Sequence, residues 1–338
     1  MKLQGGIGYY IFYLLDALIP QHPTSEFLFY TFSEIPHFKR YPNVVFRSLP
    51  LRIGSHALWG QTQLPLALRK DAPALFLGTT QSIPLLSSKC KTLLLIHDFV
   101  YKLYPHTVSR LKGALASALS PAMIRKADYI VCNSQGTGKK LFSFYGRDAD
   151  LILTPPLKAS ISYQEPDERL TSLRLSHKGY FFSVGTLEPR KNWIALIESF
   201  LRVETPFPLV IAGSGGWKNR QLLKRLYALQ AAFPERIRCL GHVDDATLSL
   251  LFSSARYTLC LSHYEGYGMP IAESRICRTP VICFDQIEMR EAAENDALFL
   301  SSLEDSAFAH ALQSDPKSPA PCNYPTNREK AIALSKLL

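Results

Sequence analysis

The sequence predicts an α/β fold with two domains, each built around a parallel sheet. The chain has 338 residues, more than one ordinary hydrophobic core accommodates. Hydrophobic residues make up 47% and charged residues 20%, as in typical globular proteins. Short apolar runs alternate with amphipathic segments in both halves, a rhythm typical of strands joined by crossover helices.

The first half starts with a predicted helix and continues with strands and one further helix. The predicted helices are 9–18 and 111–126, and the predicted strands are 26–32, 44–48, 75–77, 92–96 and 129–132. An apolar run at 151–156 closes this set. The polar stretch 157–177 contains Pro166 and has no strong periodicity, which indicates a linker.

The second half repeats the alternation more regularly. The predicted strands are 180–184, 209–212, 237–240, 257–261 and 280–284, and the predicted helices are 193–203, 219–233, 245–254 and 270–277. We therefore expect a first Rossmann-like domain over 1–156, a linker over 157–177 and a second Rossmann-like domain over 178–338. Ligands bind outside the carboxyl ends of such strands, so two domains facing each other across a cleft would place the active site there.

Composition narrows the function class only in part. The net charge of +10 favours anionic partners, such as phosphorylated substrates, acidic lipid or nucleic acid, but solvated surface charge explains it equally well. Seven cysteines without a C-x-x-C pair argue against a disulfide scaffold or a zinc site and suit the cytosol. With no signal peptide and no apolar run of about 18 residues, we expect contact with a membrane only at its surface.

The strongest local signal is Glu265-Gly-Tyr-Gly-Met-Pro-Ile-Ala-Glu273. Gly266 and Gly268 allow a tight bend, and Pro270 suits the first turn of a helix. The start of that helix would offer free N–H groups to a phosphate or a sugar oxygen, with Glu273 on its first turn. A glycine-rich turn with a helix-start glutamate is the structural alternative.

The second signal is Gly185-Thr-Leu-Glu-Pro-Arg-Lys-Asn192, at the end of a predicted strand. Arg190 can bind two phosphate oxygens as a fork, and Lys191 adds a point charge, so the pair suits a diphosphate. The alternative is a solvated basic turn in which Asn192 caps the next helix.

Four weaker signals accompany these two. Gly213-Ser-Gly-Gly216 and Gly5-Gly-Ile-Gly8 could each approach a phosphate or merely permit a tight turn. His97, at a strand end, could bond a substrate, although a structural role is more common at such positions. Asp148-Ala-Asp150 has no cooperating acidic cluster, so we expect no metal there.

Taken together, these blocks resemble the retaining glycosyltransferases of family 4, the group 1 glycosyltransferases with the GT-B fold. The resemblance covers nearly the whole chain and also includes Gly241-His-Val243 and Thr279-Pro-Val281. The spacing of Glu265 and Glu273 is similar to the family's E-x7-E motif. Within the family, the motif at 185–192 together with Ile96-His-Asp98 looks most like bacterial mannosyltransferases of surface polysaccharide assembly.

The resemblance implies roles for individual residues. Arg190 and Lys191 would neutralise the donor diphosphate, Glu265 would face the donor sugar, and Glu273 would hold the ribose hydroxyls. His97 would contact the sugar from the first, acceptor-side domain, and the second domain would bind the nucleotide sugar. The remaining predicted donor-binding residues are Gly6, Gly8, Gly185, Gly213, Val243, Leu248, Gly266, Tyr267, Gly268 and Met269.

The resemblance also implies a mechanism and partners. Fixed positive groups would stabilise the leaving phosphate while the acceptor attacks the same face of the sugar. No metal or other cofactor is expected, and the substrates would be a UDP- or GDP-linked sugar, with GDP-mannose suggested, and a glycan or lipid-linked acceptor. Arg110, Lys112, Arg125 and Lys126 could seat the first domain on anionic lipid, although an ordinary packed helix with basic ends explains them equally well, and nucleic acid is not an expected partner.

Two departures from the family keep an alternative open. Only four residues precede Gly5, where the family has a first strand, and the chain stops soon after 327–338 begins to look helical. These features suggest a nucleotide-sugar-binding pseudoenzyme or partner subunit. An NAD-dependent oxidoreductase is the weaker rival, because Gly5-Gly-Ile-Gly8 lacks the third glycine and the preceding strand of the dinucleotide-binding fingerprint.

Overall fold

The computed structural model describes residues 6–49, 56–86, 89–213, 215–216 and 220–338. They divide into two compact units. The first unit comprises the described residues of Met1–Lys102 together with Arg110–Leu157 and Tyr324–Leu338. The second unit comprises Leu103–Ser109 and the described residues of Lys158–Asn323. Across the described ranges, no helix combines the length and the apolar character needed to cross a bilayer.

The chain through residue 157 contains five helices and six strands among its described residues. They are α1 (Gly6–Leu18), β1 (Phe27–Thr31), β2 (Val44–Ser48), α2 (His56–Asp71), β3 (Leu75–Gly78), β4 (Lys91–Ile96), α3 (Val100–Leu103), α4 (Arg110–Lys126), β5 (Tyr129–Cys132), α5 (Gln135–Tyr145) and β6 (Leu151–Ile152). Strands β3 to β6 form one parallel sheet in chain order, and β1 and β2 form a separate parallel pair. The predicted elements of this half are confirmed, whereas α2, α3 and α5 were not predicted.

The first unit packs α1 and the last helix of the chain against the parallel sheet. Tyr10 and Leu14 of α1 lie in one buried cluster with Leu93 of β4 and Val131 of β5. The Tyr10 hydroxyl donates a 2.8 Å hydrogen bond to the carbonyl oxygen of Leu153. Burial of both faces explains why β4 is a continuous apolar run.

The rest of the chain alternates helices and strands and ends in a helix. It contains α6 (Glu168–Ser172), β7 (Phe181–Val184), α7 (Trp193–Arg202), β8 (Leu209–Ala212), α8 (Arg220–Ala232), β9 (Ile237–Gly241), α9 (Asp245–Ser254), β10 (Tyr257–Cys260), α10 (Met269–Ile276), β11 (Val281–Phe284), α11 (Ile287–Ala292), β12 (Leu298–Leu300), α12 (Asp305–Gln313) and α13 (Asn327–Ser335). The described strands of the second unit form a parallel sheet in the order β12-β11-β10-β7-β8-β9. The order reverses beside β7, where ligands of such sheets bind.

The structure divides the chain differently from the sequence prediction at two places. The predicted linker 157–177 belongs almost entirely to the second unit, because Ile161 and Leu170 are buried against Leu250 and other apolar residues around α9. This packing was not predicted, because residues 157–177 are polar and have no strong periodicity.

Residues 324–338, predicted to belong to the second domain, return to the first unit as α13. The Asn327 side chain accepts a hydrogen bond from the Leu157 amide (3.1 Å) and donates one to its carbonyl oxygen (3.0 Å). The buried Lys330 ammonium donates a 2.7 Å bond to the Pro155 carbonyl oxygen. The helical character predicted for 327–338 is therefore confirmed as α13 over Asn327–Ser335, in the first unit.

Candidate functional site

Two loops of the second unit meet because the strands before them are neighbours. Strand β7 pairs directly with β10, with Phe181 opposite Tyr257. In a parallel sheet, the loops after two adjacent strands leave from the same edge. The loop after β7 contains the short 3₁₀ turn Pro189–Lys191, and the loop after β10 contains Glu265. Residues about 75 positions apart thus come into contact.

Glu265 is the centre of a buried ion-pair cluster. One of its carboxylate oxygens lies 2.8 Å from Nη1 of Arg190, and the other lies 2.6 Å from Nζ of Lys191. Arg190 also donates to the Tyr264 carbonyl oxygen (2.5 Å) and to the Glu188 carboxylate (2.6 Å). The motif at 185–192 and the E-x7-E motif therefore form one structural unit.

Burial and charge act in opposite directions on the two acids of this cluster. Burial alone would raise the pKa of Glu265, but the Arg190 and Lys191 charges lower it to about 2. Burial raises the pKa of Glu188 above its usual value, even though Arg190 opposes the shift. Within the described part of the chain, Oε2 of Glu188 is buried and has no hydrogen-bond partner.

Three glycines stand at the ends of the adjacent strands β7, β8 and β9. The Gly213 amide donates a 2.7 Å hydrogen bond to the Gly241 carbonyl oxygen. The Gly185 amide donates a 3.2 Å hydrogen bond to the Ala212 carbonyl oxygen. A Cβ atom on Gly213 would lie 1.9 Å from the Gly185 carbonyl oxygen, and the φ of Gly213 is 136°. Gly213 is therefore required for the close approach of the two strand ends.

We expect Gly213→Ala to lower the free energy of unfolding by about 1–3 kcal/mol or more, because it adds both a backbone clash and an unfavourable φ. Chemical denaturation of the variant and the wild type measures this change. Gly6→Ala is the matched control, since a Cβ there meets no atom within 4 Å. Equal stability of Gly213→Ala and wild type would contradict the assigned packing.

The second acid of the E-x7-E motif lies on α10. Gly268, with φ 107°, precedes the helix, and Met269 is its first residue. Glu273 is thus in the second turn, not in the first turn as predicted. Its side chain is buried, and burial raises its pKa to about 7. Tyr267, which directly precedes Gly268, is also buried, while Gly266 is partly exposed.

Two of the predicted donor-binding residues, Val243 and Leu248, have a clear packing role. Leu248 of α9 belongs to the buried cluster that includes Leu250 and Ala212, and Val243 packs against the same cluster. The Asp244 side chain caps α9 by accepting a 2.7 Å bond from the Thr247 amide. The structure thus shows how these residues hold the start of α9 in place.

The predicted site residues Gly6, Gly8 and His97 belong to the first unit. Gly6 and Gly8 lie in the first turn of α1, so they are helical residues rather than a loop before the helix; Gly5 lies outside the described residues. His97 follows β4, is 3% exposed, and its Nε2 lies 2.9 Å from the Thr79 carbonyl oxygen. Burial lowers the pKa of His97, which keeps its ring neutral.

Several roles differ from the sequence interpretation or were missed. Asn192 precedes α7 in a left-handed conformation, and its side chain does not cap the helix. Asp150 accepts a 2.7 Å bond from the Ile130 amide and so stabilises the sheet. Glu188 belongs to the motif at 185–192, but the sequence alone did not predict its ion pair with Arg190. Among the described residues, no group of three or more His, Cys, Asp or Glu side chains could hold a metal ion.

Comparison with known sequences identifies relatives of this site. Residues 166–325 match the sequence model of a family described as Glycosyl transferases group 1. The chain is 33% identical over 201 residues to O-antigen chain mannosyltransferase B of Escherichia coli, covering 56% of this chain and 51% of that protein. It is 21% identical over 303 residues to O-antigen chain mannosyltransferase RfbU of Salmonella typhimurium, covering 89% and 81%. The chain thus spans about half the length of the E. coli relative.

Comparison with solved structures supports the predicted fold class. The structure of Anabaena HepE in complex with UDP and glucose has a TM-score of 0.70 at 16% identity, over 91% of this chain and 85% of that one. WaaG, a glycosyltransferase involved in lipopolysaccharide biosynthesis, has a TM-score of 0.68 at 14% identity, over 92% and 88%. The α/β fold with parallel sheets and its assignment to the GT-B class are confirmed.

Proposed function

We propose that this chain is a retaining glycosyltransferase, because residues 166–325 match the sequence model of the Glycosyl transferases group 1 family. It moves a hexose from a nucleotide-diphosphate sugar to a glycan or lipid-linked acceptor. The observation that carries the proposal is the Arg190–Lys191–Glu265 cluster, which lies at the carboxyl ends of β7 and β10 in the matched domain.

The cluster supports an electrostatic mechanism. Glu265 fixes the directions of the Arg190 and Lys191 side chains before the donor binds. Preorganised cations stabilise a leaving diphosphate without reorganising during the reaction. The departing phosphate then takes the acceptor proton while the acceptor oxygen attacks the same face of the sugar. The protein supplies position and charge, with no covalent step on a side chain.

Mannose is the proposed sugar, with GDP-mannose as the donor. Support comes from the two curated relatives, whose names describe O-antigen mannosyltransferases. The complex of HepE with UDP and glucose supports a nucleotide sugar in general and makes UDP the competing nucleotide. Glu273, buried on α10, is proposed to bind the ribose hydroxyls of either nucleotide.

A lipid-linked acceptor would bring the first unit near a membrane surface, where α4 is the proposed contact. Leu111 is 70% exposed and is preceded by Arg110 at the start of the helix. Lys126 was expected to bind anionic lipid through its ammonium. That ammonium instead donates hydrogen bonds to the carbonyl oxygens of Pro84 (2.7 Å) and Leu85 (3.1 Å).

The direct test combines binding and turnover. UDP, GDP and their sugars are compared by thermal shift, because a ligand that binds only the folded state raises the melting temperature. Radiolabelled GDP-mannose is then supplied with a lipid-linked saccharide acceptor. Label transfer with retained configuration supports the proposal. Binding without transfer to any acceptor favours a pseudoenzyme instead, and no shift with any nucleotide contradicts both functions.

We expect Glu273→Gln to weaken nucleotide binding about tenfold, because hydrogen bonds to a charged acceptor are roughly twice as strong as neutral ones. Isothermal titration calorimetry with GDP and UDP measures the change. Glu235→Gln is the control, because the Glu235 side chain is 88% exposed. Unchanged affinity of Glu273→Gln would remove Glu273 from the proposed site.

A further inference from the structure

A short segment from the first half of the sequence belongs to the second unit. It is Leu103–Ser109, and the chain on both sides of it belongs to the first unit. The segment contains the 3₁₀ turn Pro105–Thr107, in which the amide and the hydroxyl of Thr107 both donate to the Tyr104 carbonyl oxygen, at 2.9 and 2.8 Å. These two bonds fix the backbone from which the Tyr104 side chain projects.

The Tyr104 side chain lies against residues 262–265, the loop segment that ends in Glu265. Its hydroxyl donates a 2.9 Å hydrogen bond to the His263 carbonyl oxygen. Its ring stacks on the rings of His263 and Tyr264, with centroid separations of 6.1 and 6.0 Å and interplanar angles of 20° and 17°. Offset stacking at such separations is a favourable arrangement of aromatic rings. Tyr104 thus holds two consecutive residues of this segment.

Both residues that Tyr104 contacts bind Arg190 through their backbone. The His263 amide donates a 2.9 Å hydrogen bond to the Arg190 carbonyl oxygen. The Tyr264 carbonyl oxygen accepts a 2.5 Å hydrogen bond from the Arg190 guanidinium, and the next residue, Glu265, binds the same guanidinium through its carboxylate. The segment on which Tyr104 lies therefore fixes both the main chain and the side chain of Arg190.

Gln286 is a second anchor of the 262–265 segment. Its side-chain amide donates to the carbonyl oxygens of Ser262 (3.2 Å) and His263 (3.0 Å). The His263 carbonyl oxygen thus accepts one hydrogen bond from Gln286 and one from Tyr104, which occupies both of its lone pairs. Since Gln286 remains when the Tyr104 hydroxyl is removed, loss of the hydroxyl alone should loosen the segment less than loss of the whole ring.

We propose that Tyr104 is a positioning residue for sugar transfer, which holds residues 262–265 and thereby keeps the Arg190 guanidinium in place for the leaving diphosphate. The inference rests on the proposed function, which assigns that role to Arg190. Charges that are fixed before the reaction stabilise the transition state without reorganising, so a small displacement of the guanidinium is costly. Tyr104 is only half-buried, so its replacement leaves the hydrophobic core of the unit intact.

The test is a double-mutant cycle in the full chain, which compares the effect of Tyr104→Leu in wild type and in Arg190→Ala. Initial rates are measured with radiolabelled GDP-mannose or UDP-glucose and a lipid-linked saccharide acceptor. Tyr104→Leu should lower kcat roughly 10- to 30-fold, because a displaced guanidinium stabilises the departing phosphate poorly. The donor KM should change less than about threefold, since the charge itself remains. In Arg190→Ala, the same substitution should lower the remaining rate less than about twofold.

Tyr104→Phe separates the hydroxyl from the ring. It should slow transfer only about threefold, because the ring contacts and the Gln286 bonds remain. If Tyr104→Leu does not fold, Tyr104→Phe carries the cycle, with this smaller loss expected in wild type and none in Arg190→Ala. Tyr227→Leu is the matched control, because it is the same substitution at a 55% exposed tyrosine of α8 in the same unit. Its rate should equal that of wild type.

A general structural role gives a different pattern of rates. Equal losses from Tyr104→Leu in wild type and in Arg190→Ala would mean that Tyr104 supports the unit as a whole, which overturns the proposal. An unchanged rate in folded Tyr104→Leu, or a loss of the same size in Tyr227→Leu, overturns it as well.

Hydrogen exchange tests the hold on the segment without catalysis. The His263 amide is bonded to the Arg190 carbonyl oxygen, so it exchanges only when the 262–265 segment opens. Mass spectrometry of peptides that cover this segment should show about tenfold faster exchange in Tyr104→Leu than in wild type, and no change in Tyr227→Leu. Unchanged exchange in Tyr104→Leu overturns the inference whatever the rates.

The two readouts distinguish this inference from the proposed function. Active wild type, together with normal rates and normal exchange in Tyr104→Leu, overturns the role of Tyr104 and leaves the proposed transferase function standing. Wild type that transfers no sugar overturns the proposed function and the role of Tyr104 in transfer with it, even where faster exchange shows that Tyr104 holds the segment.

Discussion

Arg190→Ala is expected to slow sugar transfer by roughly 30- to 1000-fold, an increase of about 2–4 kcal/mol in the activation free energy, as for other preorganised groups that stabilise developing charge. Arg190 forms ion pairs with both acids of the cluster, Glu188 and Glu265. Its removal therefore takes away a cation for the leaving phosphate and also loosens Glu265. Initial rates with labelled donor, at saturating and limiting concentrations, measure the effect.

One further variant shows whether the slower transfer comes from the lost guanidinium geometry or from the lost positive charge, and a second variant is a surface control. Arg190→Lys keeps the charge without the planar fork, so an intermediate rate is expected. Arg225→Ala removes a 57% exposed arginine that pairs with Glu198 on the surface of the same unit, and its rate should equal that of wild type. A normal rate in folded Arg190→Ala would refute the assignment of the leaving-group site.

Glu265→Gln is expected to lower the free energy of unfolding by about 3–5 kcal/mol at neutral pH, since it leaves the partly buried charges of Arg190 and Lys191 without their shared anion. Both cations have side chains less than 15% exposed, so water compensates poorly for the loss. Urea denaturation followed by fluorescence measures the difference. Glu198→Gln, which affects a surface ion pair, should cost less than about 1 kcal/mol.

The Glu265→Gln effect should also depend on pH in a defined direction. The pKa of Glu265 is lowered from its ordinary 4.5 to about 2 in the folded state. A carboxyl with a depressed folded-state pKa contributes its stability above the unfolded-state pKa and loses it as the pH falls. The stability difference between wild type and Glu265→Gln should therefore be constant above about pH 5.5 and shrink between pH 4.5 and 2. A difference that grows on acidification would contradict the ion-pair assignment.

Much of the fold could be predicted because its strands are buried on both faces. The strands Leu209–Ala212 and Tyr257–Cys260 are fully buried, so each reads as an apolar run with clear limits. Helix α5 was not predicted, although Ser134, two residues after the predicted strand 129–132, is of a residue type that favours helix N-caps. Ser134 is in fact the N-cap of that helix, with its hydroxyl accepting a 2.9 Å bond from the Thr137 amide.

The residues of the cluster could be proposed from the sequence, but the contacts among them could not. The spacing of Glu265 and Glu273 and the adjacent Arg190 and Lys191 indicated two loops of the second unit, which the structure brings together. The contacts between those loops depend on β10 lying beside β7, and local sequence carries no signal for strand order. The pairing of Lys158 with Asp245 could not be predicted either, because Lys158 lies in a stretch that has the composition of a linker.

The return of α13 to the first unit makes that unit discontinuous along the chain. Its sheet is synthesised early, yet Leu334 and Ala331, which complete its buried cluster, follow more than 160 residues of the second unit. On the ribosome, the second unit can therefore finish folding before the first one does. Damage to the last dozen residues should accordingly expose α1 and the early sheet, and protease cleavage near the amino end would report it.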